Sequence, residues 1–170
     1  MIDIQAGKLP DEALLKHYEQ QEAYTDCYYM ELPRRISQSE YVQAFYTSRL
    51  FRLERAILAI VARRPSSDEQ ARRLADGETE TFSAWNVEGR TQNQLLLCDH
   101  LGRTRSWLMS EPADDGYGTR LYFGSAVVPI GASASGRKSF GFGFHALLGF
   151  HRIYSRALMR SMLSQLSKRL

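Results

Sequence analysis

The sequence predicts a single α+β domain in which a curved antiparallel sheet wraps around a long C-terminal helix, with two helices inserted after the first strand. Two observations support this prediction. From about Phe144 to Leu170, apolar residues recur at the spacing of an amphipathic helix. Before that helix, strand-like runs alternate with short turns rich in glycine and aspartate, at 79–88, 94–99, 103–111 and 119–128. Strands joined by short turns pair antiparallel, so these runs predict a meander.

The composition is that of one folded domain covering residues 1–170. Of the 170 residues, 44% are hydrophobic and 24% are charged, which is enough apolar material for one sizeable core. The net charge of +3 is only mildly basic, and the sequence contains no recognised nucleic-acid-binding motif, so the charge does not indicate nucleic-acid binding. No apolar stretch reaches the length of about 18 residues that a transmembrane segment needs, and the N-terminus lacks a secretory pattern. We therefore expect a cytoplasmic protein.

The sequence gives no reason to expect a metal site or a cofactor. Cys27 and Cys98 do not form a metal-binding spacing, and we expect both to be reduced thiols, since a disulfide is possible only if their strands are adjacent. His145 and His151 lie six residues apart, which places them on different faces of a helix. Phosphate-binding glycine motifs and the G-x-S-x-G nucleophile motif are absent from the sequence.

The first 22 residues predict a helical extension. Acidic residues follow Pro10 and complement the dipole of a short helix from Asp11 to about Glu22. The next segment, Ala23 to Leu32, is rich in aromatic residues and predicts a strand that ends before Pro33.

A capping box predicts the first inserted helix. The Ser37 hydroxyl can accept from the backbone of Glu40, whose carboxylate reaches back to the serine, so a long helix is expected from Gln38 to Arg64. Pro65 ends it. Its apolar residues occupy more than one face, so we expect the sheet or a partner chain to cover most of it.

Short sequence patterns predict the second inserted helix and two loops. Ser66 and Glu69 repeat the capping signature, which predicts a helix from Ser67 to Ala75. Asp99 to Gly102 predicts a tight turn whose glycine has positive φ. Residues 129–143 are rich in glycine and serine and predict a flexible loop before the last helix.

From Ala23 to Leu170, the order of elements resembles the helix-grip fold of the START-like (SRPBCC) superfamily. The tail Leu148–Leu158 and Val128-Pro129 are similar to the ends of a group of uncharacterised bacterial proteins, although Gly149 stands where that group has proline. The fold's usual pattern has two strands before the paired helices, whereas this sequence predicts one. Either the sheet is shorter or residues 1–9 contribute a strand.

The resemblance implies a cavity between the sheet and the C-terminal helix. START-like proteins mostly bind hydrophobic ligands such as lipids, steroids or aromatic polyketides, and some are cyclases, dehydratases or hydrolysis activators. The superfamily has no invariant catalytic motif, so no catalytic residue is carried over, and fold analogy alone does not establish a function.

Five aromatic side chains are the candidate lining of that cavity. Trp85, Trp107 and Tyr122 lie on successive predicted strands and could stack on a flat apolar ligand. His151 and Tyr154 project from one face of the C-terminal helix. The alternative is that the aromatic residues are ordinary core and that His151 is a buried structural histidine.

Three hypotheses follow for the function. The first is a ligand-binding protein that holds a hydrophobic small molecule or lipid in the cavity. The second is a small cyclase, aromatase or dehydratase that uses His151 or Asp99 as acid or base. The third is a homodimeric interaction module without a pocket, which covers the surplus apolar face of the helix at 38–63.

A basic face at Arg152, Arg156 and Arg160 is interpreted as solvated rather than as a contact for an acidic membrane.

Overall fold

A computed structural model describes residues 2–21, 23–61, 63–114, 116–128 and 144–169. These residues form seven strands, five α-helices and a short 3₁₀ helix at Ser167–Arg169. The strands are β1 (Gln5–Ala6), β2 (Tyr24–Leu32), β3 (Thr81–Phe82), β4 (Trp85–Arg90), β5 (Gln94–Asp99), β6 (Thr104–Pro112) and β7 (Thr119–Val127). The helices are α1 (Lys16–Gln20), α2 (Gln38–Tyr46), α3 (Arg49–Val61), α4 (Asp68–Ala75) and α5 (Phe144–Leu166). The predicted α+β class and the C-terminal helix are confirmed.

The described strands form one antiparallel sheet in the order β1-β2-β7-β6-β5-β4-β3. β1 pairs with β2 through Gln5 and Ala6, so residues 1–9 do contribute the strand that the sequence left open. A register shift between Val87 and Gly89 interrupts the β4–β5 pairing, and such irregularities bend a sheet. Cys27 on β2 and Cys98 on β5 are on strands that do not pair, and both are free thiols.

Both faces of the sheet are covered. Side chains alternate along each strand, so one face carries Met30, Leu108 and Phe123 and packs against the helices α2 to α5. The opposite face carries Trp107 and packs beneath the segment 9–18. α5 packs mainly against α2 and α3 and contributes four side chains to the first core: Leu158, Met159, Met162 and Leu166.

The long helix predicted from Gln38 to Arg64 is wrong, because the structure has two helices there. α2 ends at Tyr46, and the hydroxyl of the next residue, Thr47, donates to the carbonyl of Gln43 at 2.7 Å. α3 starts after Ser48, whose carbonyl accepts from the amide of Arg52 at 2.9 Å and whose Oγ accepts from Phe51 at 3.4 Å. Side chains of Ser and Thr compete in this way with helical hydrogen bonding.

The capping box at Ser37 is confirmed. Its Oγ accepts from the amide of Glu40 at 3.1 Å, and the Glu40 carboxylate accepts from the amide of Ser37 at 2.9 Å. The second box begins one residue later than predicted, at Ser67, which pairs with Gln70. Ser66 is engaged elsewhere, because its Oγ accepts from Nε of Arg55 at 3.0 Å.

The N-terminal helix is shorter than predicted. Only Lys16–Gln20 is α-helical, because the amide of Leu14 donates to Oε1 of Gln94 at 2.9 Å instead of entering a helix. The tight turn at 99–102 is confirmed, with φ of +71° at Gly102. The loop predicted at 129–143 lies outside the described residues. Among the helices that are described, none combines the length and apolar character that crossing a membrane requires.

Candidate functional site

A cleft of about 550 Å³ lies between β2 and α5 and is the candidate site. It is partly open to solvent. Its volume falls within the range of roughly 300 to 1,000 Å³ that is usual for small-molecule sites. Its walls come from the start of β2, the end of β1 and the middle of α5: Ala6, Gly7, Tyr24, Thr25, Asp26, Cys27, Tyr28, Arg152, Ile153 and Arg156.

The two walls follow from two periodicities. On β2, the period of two residues puts the side chains of Tyr24, Asp26 and Tyr28 on the face that meets the helices. On α5, Arg152 and Arg156 are four residues apart and therefore lie on the same side of the helix. The cleft forms where these two rows meet.

Asp26 is held in place by β7. Its Oδ1 accepts from the backbone amide of Ser125 at 3.1 Å and from the Ser125 hydroxyl at 2.5 Å. The two residues are direct partners in the β2–β7 ladder. Two hydrogen bonds from one neighbour fix the orientation of the carboxylate at the base of the cleft.

The tyrosines of the cleft are neutral and lie beside guanidinium groups. Burial raises the pKa of Tyr24, the charge of Asp26 raises it further, and a hydrogen bond with Arg152 acts in the opposite direction. Burial and the Asp26 charge also raise the pKa of Tyr28. The guanidinium carbon of Arg156 lies 5.6 Å from the centre of the Tyr28 ring, within cation–π range.

The lining combines an apolar body with an excess of positive charge. Two guanidiniums and one carboxylate line the cleft, leaving one net positive charge (two minus one). Arginine binds carboxylates and phosphates through two parallel hydrogen bonds. The tyrosine rings and Ile153 supply apolar surface. This arrangement suits an amphipathic molecule with an acidic group.

Covalent chemistry at Cys27 is disfavoured. Cys27 is among the residues that line the cleft, but its side chain belongs to the core on the opposite face of the sheet. Burial and the nearby Asp26 charge raise the pKa of its thiol to about 12. The thiolate is the reactive form of cysteine, and it is scarce at neutral pH under these conditions. Within the described residues, no group of three or more His, Cys, Asp or Glu side chains is placed to hold a metal ion.

Trp107 and Tyr122, two of the predicted lining residues, lie on the sheet face opposite the helices α2 to α5. Trp107 is fully buried, and its Nε1 donates to Oε1 of Gln94 at 2.9 Å. The hydroxyl of Tyr122 donates to Glu111 at 2.5 Å, and the two predicted rings are 6.0 Å apart. They belong to the core beneath the N-terminal segment.

The other predicted residues lie on the helix side. Trp85 and Tyr154 pack against the first core, and the hydroxyl of Tyr154 donates to Glu54 on α3. Nε1 of Trp85 is buried and has no hydrogen-bond partner among the described residues. His151 is in α5, and its side chain is outside the described part of the structure. The sheet therefore separates Trp107 and Tyr122 from Trp85 and Tyr154, and their role in ligand binding stays a prediction.

Two further polar side chains on the strands, Arg105 and Asp99, are engaged in the fold. Arg105 binds Glu88 at 2.9 Å and stacks on Tyr18, with its guanidinium carbon 4.6 Å from the ring centre. Oδ1 of Asp99, the alternative acid or base, accepts from the amides of Arg103 and Thr104 at 2.7 and 3.0 Å. The two hydrogen bonds to Asp99 stabilise the β5–β6 turn.

A buried hydroxyl on α5, that of Ser155, allows a test of whether the interior beneath this helix leaves a polar group without a hydrogen bond. Ser155 is fully buried, and its Oγ has no hydrogen-bond partner among the described residues. An unsatisfied buried hydroxyl is destabilising by about 1 to 3 kcal/mol. We expect Ser155→Ala to raise the free energy of unfolding by about 1 kcal/mol in urea titrations. A loss of stability would instead mean that the hydroxyl has a partner in solution.

Comparison of the chain with protein-family models, with curated proteins and with solved structures finds no match. The candidate site therefore rests on its own geometry.

Sequence reasoning missed the residues that line the cleft. The alternation Tyr24, Asp26, Tyr28 and the spacing of Arg152 and Arg156 were both readable in the sequence. What the sequence did not provide was the packing of that helix face beside that strand.

Proposed function

We propose that the protein binds a hydrophobic small molecule or lipid that carries an acidic group, in the cleft between β2 and α5. The proposal also assigns the chain to the START-like superfamily, which its element order resembles. One observation supports the proposal. The cleft lies between the sheet and the C-terminal helix, and its lining combines apolar surface with two guanidinium groups.

The chemistry of the ligand follows from the lining. A purely apolar molecule would leave Arg152 and Arg156 without a partner in the ligand, and covering charged groups without a partner is costly. A purely anionic molecule would gain little from the tyrosine rings and Ile153. A molecule with both parts satisfies both kinds of surface.

A matched pair of probes tests this. Dodecanoate and dodecanol have the same chain and differ in the acidic group, and their binding is measured by isothermal titration calorimetry. We expect dodecanoate to bind about tenfold more tightly, because a hydrogen bond to a charged group contributes about 1.5 to 3 kcal/mol and this site is partly solvated. Arg156→Gln is expected to remove most of that preference.

Arg160→Gln is the matched control, because Arg160 is exposed on the same helix and does not line the cleft. It should leave the affinity for dodecanoate unchanged. Equal binding of the two probes, or an equal loss of affinity in both variants, would contradict the proposal. Failure of both probes to bind would remove it.

A further inference from the structure

Three large aliphatic side chains lie exposed along α3. Leu53, Ile57 and Ile60 are 58%, 53% and 81% exposed. Their spacing of four and three residues places them on one side of the helix, over about 10 Å of its length. Isolated exposed aliphatic residues are normal on protein surfaces, whereas a row on one helix indicates an interaction surface. We call these three residues the α3 stripe.

Arginines flank the α3 stripe. Arg49 and Arg52 precede it, and Arg63 and Arg64 follow it, all four of them exposed. Arg52 forms an ion pair with Asp68. Within the described residues, the other three arginines form no ion pair with a carboxylate.

The acidic residue of α3 is turned away from this surface. Glu54 is the only Asp or Glu in α3, and it is partly buried. It accepts the hydroxyl of Tyr154 on α5, so it lies on the side of α3 that packs against that helix. The solvent-facing side of α3 therefore combines aliphatic and positively charged side chains.

We propose that α3 docks on an anionic membrane surface. A helix with an apolar face and a basic border lies in the plane of the interface, with its apolar side chains at the boundary between headgroups and acyl chains. The arginines meet the headgroups, and the α3 stripe enters between them. This role is separate from the cleft and does not require the cleft to bind a ligand.

The charges favour a lipid surface over a second copy of the chain. A symmetric pairing through the α3 stripe brings the arginines of one copy toward those of the other, and each contact buries like charges. Anionic lipids supply the opposite charge and tolerate any spacing of the arginines.

Vesicle co-sedimentation tests the proposal on ligand-free protein. Vesicles of phosphatidylcholine alone are compared with vesicles that also contain phosphatidylserine. We expect binding only to the mixed vesicles, and weaker binding as salt is raised. Ile57→Ser with Ile60→Ser should weaken it about tenfold or more, because two apolar side chains no longer enter the bilayer. Arg63→Gln with Arg64→Gln should weaken it by roughly fivefold for each arginine.

Two control variants test whether the loss of vesicle binding is specific to the α3 stripe and its flanking arginines. Leu101→Ser removes an aliphatic side chain that is 65% exposed at the β5–β6 turn, and Arg103→Gln removes an exposed arginine there. Both should bind vesicles as the unmodified protein does. Circular dichroism melting curves check that every variant is folded.

Three results would overturn the proposal. They are an absence of binding to the mixed vesicles, binding that the serine variant retains in full, and a dimer in light scattering that the serine variant dissociates. The last result would assign the α3 stripe to a second copy. Because the vesicle assay uses ligand-free protein, failure of dodecanoate to bind leaves its result unaffected.

Discussion

Replacement of Trp107 by alanine is expected to lower the free energy of unfolding by about 3 to 5 kcal/mol. The indole is fully buried and packs with Tyr122 beneath the N-terminal segment. Its removal leaves a cavity in that layer. The substitution also removes the indole N–H that donates to Gln94. The side chain of Gln94 in turn binds the amide of Leu14 and the carbonyl of Glu12. The loss therefore loosens the contact that holds the N-terminal segment on the sheet.

Urea unfolding followed by fluorescence measures this change, and Trp107→Phe is the matched control. Phenylalanine keeps a ring beside Tyr122 but loses the donor to Gln94, so the expected loss is smaller, about 1 to 3 kcal/mol. Because the β2–α5 cleft is on the other face of the sheet, Trp107→Phe should bind dodecanoate normally. A folded, stable Trp107→Ala variant with lost ligand binding would contradict this account and would support the predicted lining role.

The second large effect is expected at Arg55. This arginine is 7% exposed and makes four hydrogen bonds, to the carbonyls of Tyr46 and Ser66, to the Ser66 hydroxyl and to Asp68. They connect the end of α2 to the start of α4 across α3. Arg55→Met keeps most of the volume but leaves these acceptors without their donor, and we expect a loss of about 3 kcal/mol. Thermal and urea unfolding would measure it.

Arg52→Gln is the control, because Arg52 binds the same carboxylate of Asp68 from a side chain that is 50% exposed. Exposed ion pairs contribute little, so the expected loss is below about 1 kcal/mol. Equal losses in the two variants would show that the charge of Asp68, rather than the buried hydrogen bonds, dominates.

The same cluster predicts a pH dependence. Burial raises the pKa of Asp68, but the hydrogen bond from Arg55 and the charges of Arg52 and Arg55 lower it by more, so the net pKa is below its usual value. A lowered pKa in the folded state gives stability that is present above the unfolded pKa of about 4 and is lost as the pH falls through the folded value. As the pH falls from about 5 through the folded pKa of Asp68, Arg55→Met should therefore lose less stability than the unmodified protein. A steeper acid loss in the variant would contradict this.

Local signals in the sequence predicted most of the fold. The turn at Gly102, the capping box at Ser37 and the meander from β4 to β7 depend on neighbouring residues, and the structure contains them. The break at Thr47 and Ser48 was missed, because the apolar pattern continues through it and only the hydroxyl contacts reveal it. The start of α4 was shifted by one residue, since Ser66 binds Arg55, a contact that is not visible from local sequence.

The site was less predictable than the fold, for a physical reason. Alternation along a strand separates two sets of side chains but does not say which set meets the helices when both faces of the sheet are covered. Trp107 was expected in the cavity because it is large and aromatic, yet it faces the N-terminal segment. Tyr28 and Arg156 meet only through the packing of α5 beside β2, which no local pattern encodes.

The two outermost strands, β1 and β3, have only two residues each. Long exposed outer strands are templates on which further chains polymerise, and very short ones are a natural protection against this. On β1 and β3 themselves, another copy of the chain would find only two residues of backbone to pair with. Growth of a filament by addition of strands to β1 or β3 is therefore disfavoured.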